Sequence, residues 1–103
     1  MFDLTGKTAI ITGSSKGIGR SIAFAMAEQG ANVVVSSRKA DACQVVADEI
    51  NQKYEGKSGR AIVIPCNISD TTALQMLVDE TRAQLGKIDI LVCNAATNPY
   101  YGP

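Results

Sequence analysis

The stretch Thr12-Gly13-Ser14-Ser15-Lys16-Gly17-Ile18-Gly19 constrains this chain more than any other. It joins an apolar, β-branched run, Thr8-Ala9-Ile10-Ile11-Thr12, to an amphipathic run that begins at Gly17. Glycines between a strand and a helix let the backbone turn sharply and come close to a ligand. Here Gly13 is expected to make the turn. Gly17 keeps a Cβ out of the path of an approaching anion, and Gly19 lets helix and strand pack closely. The N–H groups of Ser15, Lys16, Gly17, Ile18 and Gly19 would then face a pyrophosphate, with the helix dipole behind them. The spacing is not that of a G-x4-G-K phosphate loop, because Ile18 stands five residues after Gly13. It is not the plain G-x-G-x-x-G either. The plainer alternative is a glycine-rich turn that holds no ligand.

The rest of the chain repeats the alternation of short apolar and longer amphipathic runs. Strands are predicted at Thr8–Thr12, Asn32–Ser37, Ala61–Ile64 and Ile88–Cys93. Helices are predicted over Gly17–Gln29, with Ile18, Ile22, Ala25 and Met26 as the apolar stripe, and over Ala40–Tyr54, with Cys43, Val46, Ala47, Ile50 and Tyr54. A third is predicted over Asp70–Leu85, with Leu74, Leu77, Val78, Thr81 and Leu85. Ser69 and Asp70 suit its N-cap, while Gly30 and Gly86 suit helix stops. The order βαβαβαβ predicts an α/β fold, a Rossmann-like doubly wound parallel sheet with strand order 3-2-1-4. Residues 1–103 then form one domain, and the strands, apolar throughout, fit a sheet covered on both faces. The fourth strand reads like an interior strand whose neighbour is missing. It is expected to pair through its exposed edge, with a second copy or another segment.

Function classes narrow by subtraction. Ten basic and ten acidic residues give zero net charge, no footprint for nucleic acid or an acidic membrane. No apolar run is long enough to span a bilayer. Without histidine there is no His-based metal site and no Ser-His or Cys-His catalytic pair. Cys43, Cys66 and Cys93 are odd in number and lack C-x-x-C spacing. They are expected to be three packed thiols of a reduced, cytoplasmic protein.

Ser37 stands twenty residues after Gly17, at the end of the second strand. A dinucleotide fold selective for NAD places an acidic residue there to hold the ribose 2′-hydroxyl. Ser37 followed by Arg38, with Lys16 in the glycine loop, would instead receive a 2′-phosphate. NADP(H) is therefore expected in preference to NAD(H). A competing role for Ser37 is to cap the second helix.

The Thr12–Gly19 stretch resembles the TGxxxGIG loop of the short-chain dehydrogenase/reductases. Cys93-Asn94-Ala95-Ala96 resembles their NNAG motif, and Asn67-Ile68 stands where the family has Asp-Val. Ser36–Lys39 and Asn94–Gly102 look closest to a branch of NADPH-dependent carbonyl and retinal reductases. The resemblance runs in order from Leu4 to Gly102. It implies that Asn67 binds the adenine amino group and that Ile68 packs on the adenine ring. It further implies that Asn94 braces the sheet and cofactor pocket, with Ala95 and Ala96 lining that pocket. Cys93 and Ala96 depart from the first Asn and the Gly of NNAG, and Asn67 offers an amide oxygen where the family has a charge.

The implied activity is hydride transfer between NADP(H) and a small carbonyl or alcohol substrate in a complete enzyme, this chain being its N-terminal part. The family's catalytic Ser and Tyr-x3-Lys have no match here. Tyr54 is followed by Ser58 at i+4, and no Lys follows Tyr100 or Tyr101. The chain alone is expected to hold a cofactor without turning substrate over. A stand-alone nucleotide-binding or protein-interaction module is the alternative reading.

Overall fold

A computed structural model describes residues 3–56, 59–67 and 70–94. The elements follow the predicted order: β1 (Thr8–Thr12), α1 (Gly17–Glu28), β2 (Asn32–Ser36), α2 (Ala40–Lys53), β3 (Ala61–Val63), α3 (Thr71–Leu85) and β4 (Ile90–Val92). The strands form one parallel sheet in the order β3-β2-β1-β4. In register, Ile10 lies beside Val34 and Leu91, and Val34 beside Ile62.

Alternate strand residues face opposite layers. Ala9, Ile11, Val33 and Val35 meet Ala23 and Ala27 of α1, and Cys43, Val46, Ala47 and Ile50 of α2. Ile10 and Val34 meet Ile64, Cys66 and Leu77 on the α3 side. All five residues of β1 are buried, as a sheet covered on both faces requires.

α1 differs from its prediction. Its buried line is Gly19, Ala23 and Ala27, not Ile18, Ile22, Ala25 and Met26. Ile18 is 72% exposed, Ala25 is exposed, and Ile22 and Met26 are half-buried. Small residues let the helix axis approach the sheet, so the larger side chains are displaced to its flanks. α2 presents its expected face, and α3 buries Leu77 and Thr81 with Leu74, Val78 and Leu85 half-buried. β4 is shorter than predicted, and Leu91 is 49% exposed. Cys43 and Cys66 are buried, whereas Cys93 is exposed, against the expectation of three packed thiols.

Two side chains finish the sheet's margins. On β3, Asn51 reaches from α2 to accept from the Ala61 N–H at 2.8 Å and donate to its carbonyl at 3.0 Å. At the amino end, the Asp89 carboxylate accepts from the Thr8 N–H, while the Asp89 N–H donates to the Thr8 carbonyl, both at 2.9 Å. These bonds tie β4 to β1 below the ladder. The bond from Thr8, with Lys87 3.4 Å away, holds the Asp89 carboxyl below its usual range.

Candidate functional site

The carboxyl ends of the four strands bring four segments to one edge. β1 leads into Gly13–Gly19, β2 into Ser37 and Arg38, β3 toward Asn67, and β4 into Cys93 and Asn94. A parallel sheet with helices on both faces opens its ligand crevice at this edge.

The glycine loop is held from both neighbouring strands. Toward β4, Thr12 Oγ1 donates to the Val92 carbonyl at 3.3 Å and accepts from the Asn94 N–H at 3.0 Å. Asn94 Nδ2 donates to the Gly13 carbonyl at 3.3 Å. A Cβ on Gly13 would strike the Asn94 carbonyl oxygen. One on Gly19 would strike the Gly13 carbonyl and come within 2.6 Å of Asn94 Nδ2. Gly19 thus serves the contact of the helix with its own loop as well as with the sheet. Toward β2, the Ser14 N–H donates to the Ser36 carbonyl at 3.0 Å. The fully buried Ser14 hydroxyl donates to the Ile11 carbonyl at 2.6 Å and accepts from the Ser36 N–H at 2.9 Å.

Gly17 is different. Its φ is +63°, and a Cβ there would meet nothing within 4 Å. Among the described residues, the space beside Gly17 at the α1 N-terminus is open. No side chain caps that end, and the first turn carries no acidic residue. The first N–H groups of a helix have no intrahelical acceptor, and the dipole makes that end attractive to an anion. Lys16, Gly17 and Ile18 are exposed and Ser15 is half-buried.

Beyond β2, Ser37 is half-buried, and Arg38 and Lys39 are exposed. Ser37 Oγ accepts from the Lys39 N–H at 3.1 Å and lies 3.1 Å from Cys43 Sγ. The N-cap of α2 is Lys39, without a side-chain bond, so Ser37 closes a turn before the helix and does not cap it. The Ser37 carbonyl accepts from the Cys66 N–H at 3.0 Å, anchoring this corner to the end of β3. Burial, reinforced by the charge of Asp70, pushes the Cys66 thiol up, which disfavours its thiolate.

Asn67 is exposed, and its carbonyl accepts from the Asp70 N–H at 3.0 Å. Ile68, Ala95, Ala96, Tyr100 and Tyr101 lie outside the described residues. Tyr54 is taken up in packing at the far end of α2, its ring edge-on to Phe24 at 6.4 Å. Among the described residues no three acidic or cysteine side chains are grouped to hold a metal.

Sequence reasoning missed Ser14 and Cys43 as members of this edge. The partners of Ser14 lie 22 residues away, across the sheet, and nothing in its neighbours marks it. Cys43 was assigned only to the apolar face of α2.

A model of the short chain dehydrogenase family matches residues 7–101. "Short-chain dehydrogenase/reductase SDRA" of Arabidopsis thaliana is 45% identical over 100 residues, which are 97% of this chain and 38% of that protein. The 7alpha-hydroxysteroid dehydrogenase of Escherichia coli (strain K12) is 48% identical over 92 residues, 89% of this chain and 34% of that one. The crystal structure of a hydroxysteroid dehydrogenase from Escherichia coli superimposes with a TM-score of 0.85. It is 44% identical, across 98% of this chain and 43% of the other. The chain therefore spans between 34% and 38% of the length of these two curated relatives.

Proposed function

The chain belongs to the short-chain dehydrogenase family, and we propose that it is the NADP(H)-binding portion of an oxidoreductase acting on a carbonyl or secondary alcohol. The observation that carries this reading is the uncapped N-terminus of α1 behind Gly17, open where a Cβ would stand. A pyrophosphate has room there, and at φ +63° glycine makes the turn without the strain that another residue would carry. The amides of Ser15, Lys16, Gly17, Ile18 and Gly19 bind it, with Gly13 turning the chain away from the strand. Asn94 holds that loop in place through its backbone and its amide. Asn67, exposed beyond the end of β3, accepts from the adenine amino group, and the family resemblance assigns Ile68, Ala95 and Ala96, outside the described residues, to the same cofactor.

Ser37, Arg38 and Lys16 select the 2′-phosphate. No carboxylate stands at the end of β2 to hold a ribose hydroxyl or repel an anion. Asp41, in the first turn of α2, is the nearest acidic residue in sequence, and Arg38 and Lys39 precede it. When bound, NADP(H) would supply or take up the hydride exchanged with the substrate carbon. This chain's residues bind and orient it, and we assign no catalytic residue among them. Acid–base help, worth roughly 10²–10⁴ in rate, comes from elsewhere in the enzyme. The family match favours this reading over a stand-alone module. A cytoplasmic enzyme fits three free cysteines, and pairing of two copies through the β4 edge fits its half-exposed Leu91.

Calorimetry with ADP-ribose and its 2′-phosphate tests cofactor choice. Charge-assisted bonds of about 1.5–3 kcal/mol each predict a preference for the phosphorylated ligand of roughly tenfold to a hundredfold per contact. Ser37→Asp with Arg38→Ile should reverse it. Equal affinities in the parent protein would overturn the assignment.

A further inference from the structure

The Ser37 hydroxyl has a buried partner that the reading above does not use. Ser37 Oγ is 3.1 Å from the sulfur of Cys43, a residue wholly inside the protein on the first turns of α2. The same oxygen accepts from the Lys39 N–H at 3.1 Å. Cys43 is itself fixed, since its N–H donates to the Lys39 carbonyl at 3.0 Å and its side chain packs with Val35, Val46 and Ala47. The hydroxyl therefore sits between a rigid backbone donor and a rigid thiol, at the corner where β2 ends.

We infer that Cys43 is a positioning residue for cofactor selectivity, its sulfur holding the Ser37 side chain in one rotamer for a ligand's 2′-phosphate. The inference rests on Ser37 contacting that phosphate. A thiol suits both states of the site. Without a phosphate, the hydroxyl can direct its proton to the sulfur, a weak acceptor that releases it at little cost. With a phosphate, the hydroxyl donates outward, and the S–H can turn to donate to the oxygen it leaves behind. Neither state breaks the bond from Lys39. An apolar side chain at position 43 can do neither, and leaves χ1 of Ser37 freer among its three staggered wells.

The test is calorimetry on the intact protein with ADP-ribose and its 2′-phosphate, in parent, Cys43→Ala, Cys43→Val, Cys43→Ser, Ser37→Ala and the Ser37→Ala/Cys43→Ala double variant. Cys43→Val keeps the core filled where Cys43→Ala leaves a small hole. Both should lower the preference for the phosphorylated ligand by about threefold, the factor for freeing one of three rotamers. The loss should fall on the ligand that carries the phosphate. Cys43→Ser, which keeps a group able to donate and accept, should return most of the preference. In the Ser37→Ala background, Cys43→Ala should change nothing further. If Ser37→Ala lowers the preference while Cys43→Ala and Cys43→Val leave it at the parent value, the inference falls and the reading of Ser37 stands. An equal loss from Cys43→Ala with and without Ser37 would show that the sulfur acts through packing alone, and also overturns it. If Ser37→Ala has no effect, the 2′-phosphate contact and this inference fall together.

Discussion

At the scale of single residues, Ser14 carries more of the loop than its size suggests. Its hydroxyl is the acceptor for the buried Ser36 N–H and reaches back to the Ile11 carbonyl. Ser14→Ala leaves that N–H without its acceptor, and a buried unpaired donor costs about 1–3 kcal/mol. Urea unfolding should show a lower midpoint at unchanged slope, because the variant exposes the same surface. An unshifted midpoint would mean that water replaces the hydroxyl without loss. The glycines of this loop were legible in the sequence because their spacing reflects local backbone geometry. The bonds of Ser14 to Ser36 and of Ser37 to Cys43 were not. The first joins the loop to a strand 22 residues on, and the second depends on how a helix turns its first residues inward.

Among the elements, α3 ends as its sequence announces. The Asp70 carboxylate accepts from the N–H groups of Thr72 and Ala73 at 2.9 and 3.3 Å, and Gly86 closes the helix at φ +87°. Asp70→Ala should cost about 1 kcal/mol, measured as a loss of unfolding free energy, while Asp70→Asn should recover most of it. The contrast with α1 is instructive. Its N-terminus has no side-chain cap, and its buried line of Gly19, Ala23 and Ala27 was hidden behind a stronger pattern of large residues. Periodicity of bulk marks the face that a helix buries only when the helix stands at ordinary distance from its sheet. A close approach reverses the rule, and the signal for it is a run of small residues four apart. Strand order and layering were legible because seven alternating elements leave few topologies. β4 was overextended because its composition matches an interior strand.

For the molecule as a whole, acid stability depends partly on the clasp between Asp89 and Thr8. The carboxyl is held below its ordinary value of 3.8, chiefly by the Thr8 N–H bond. The folded state therefore binds fewer protons than the unfolded one in that window. The stabilisation is complete above the ordinary value and is lost as pH falls through the lowered one. Denaturant unfolding from about pH 6 to about pH 3 should show parent and Asp89→Asn curves drawing together toward acid. Parallel curves would show that the clasp does not titrate. The other margin of the sheet has a consequence of another kind. With both outward groups of Ala61 taken by Asn51, the start of β3 offers a foreign backbone nothing to bind unless that amide is first displaced.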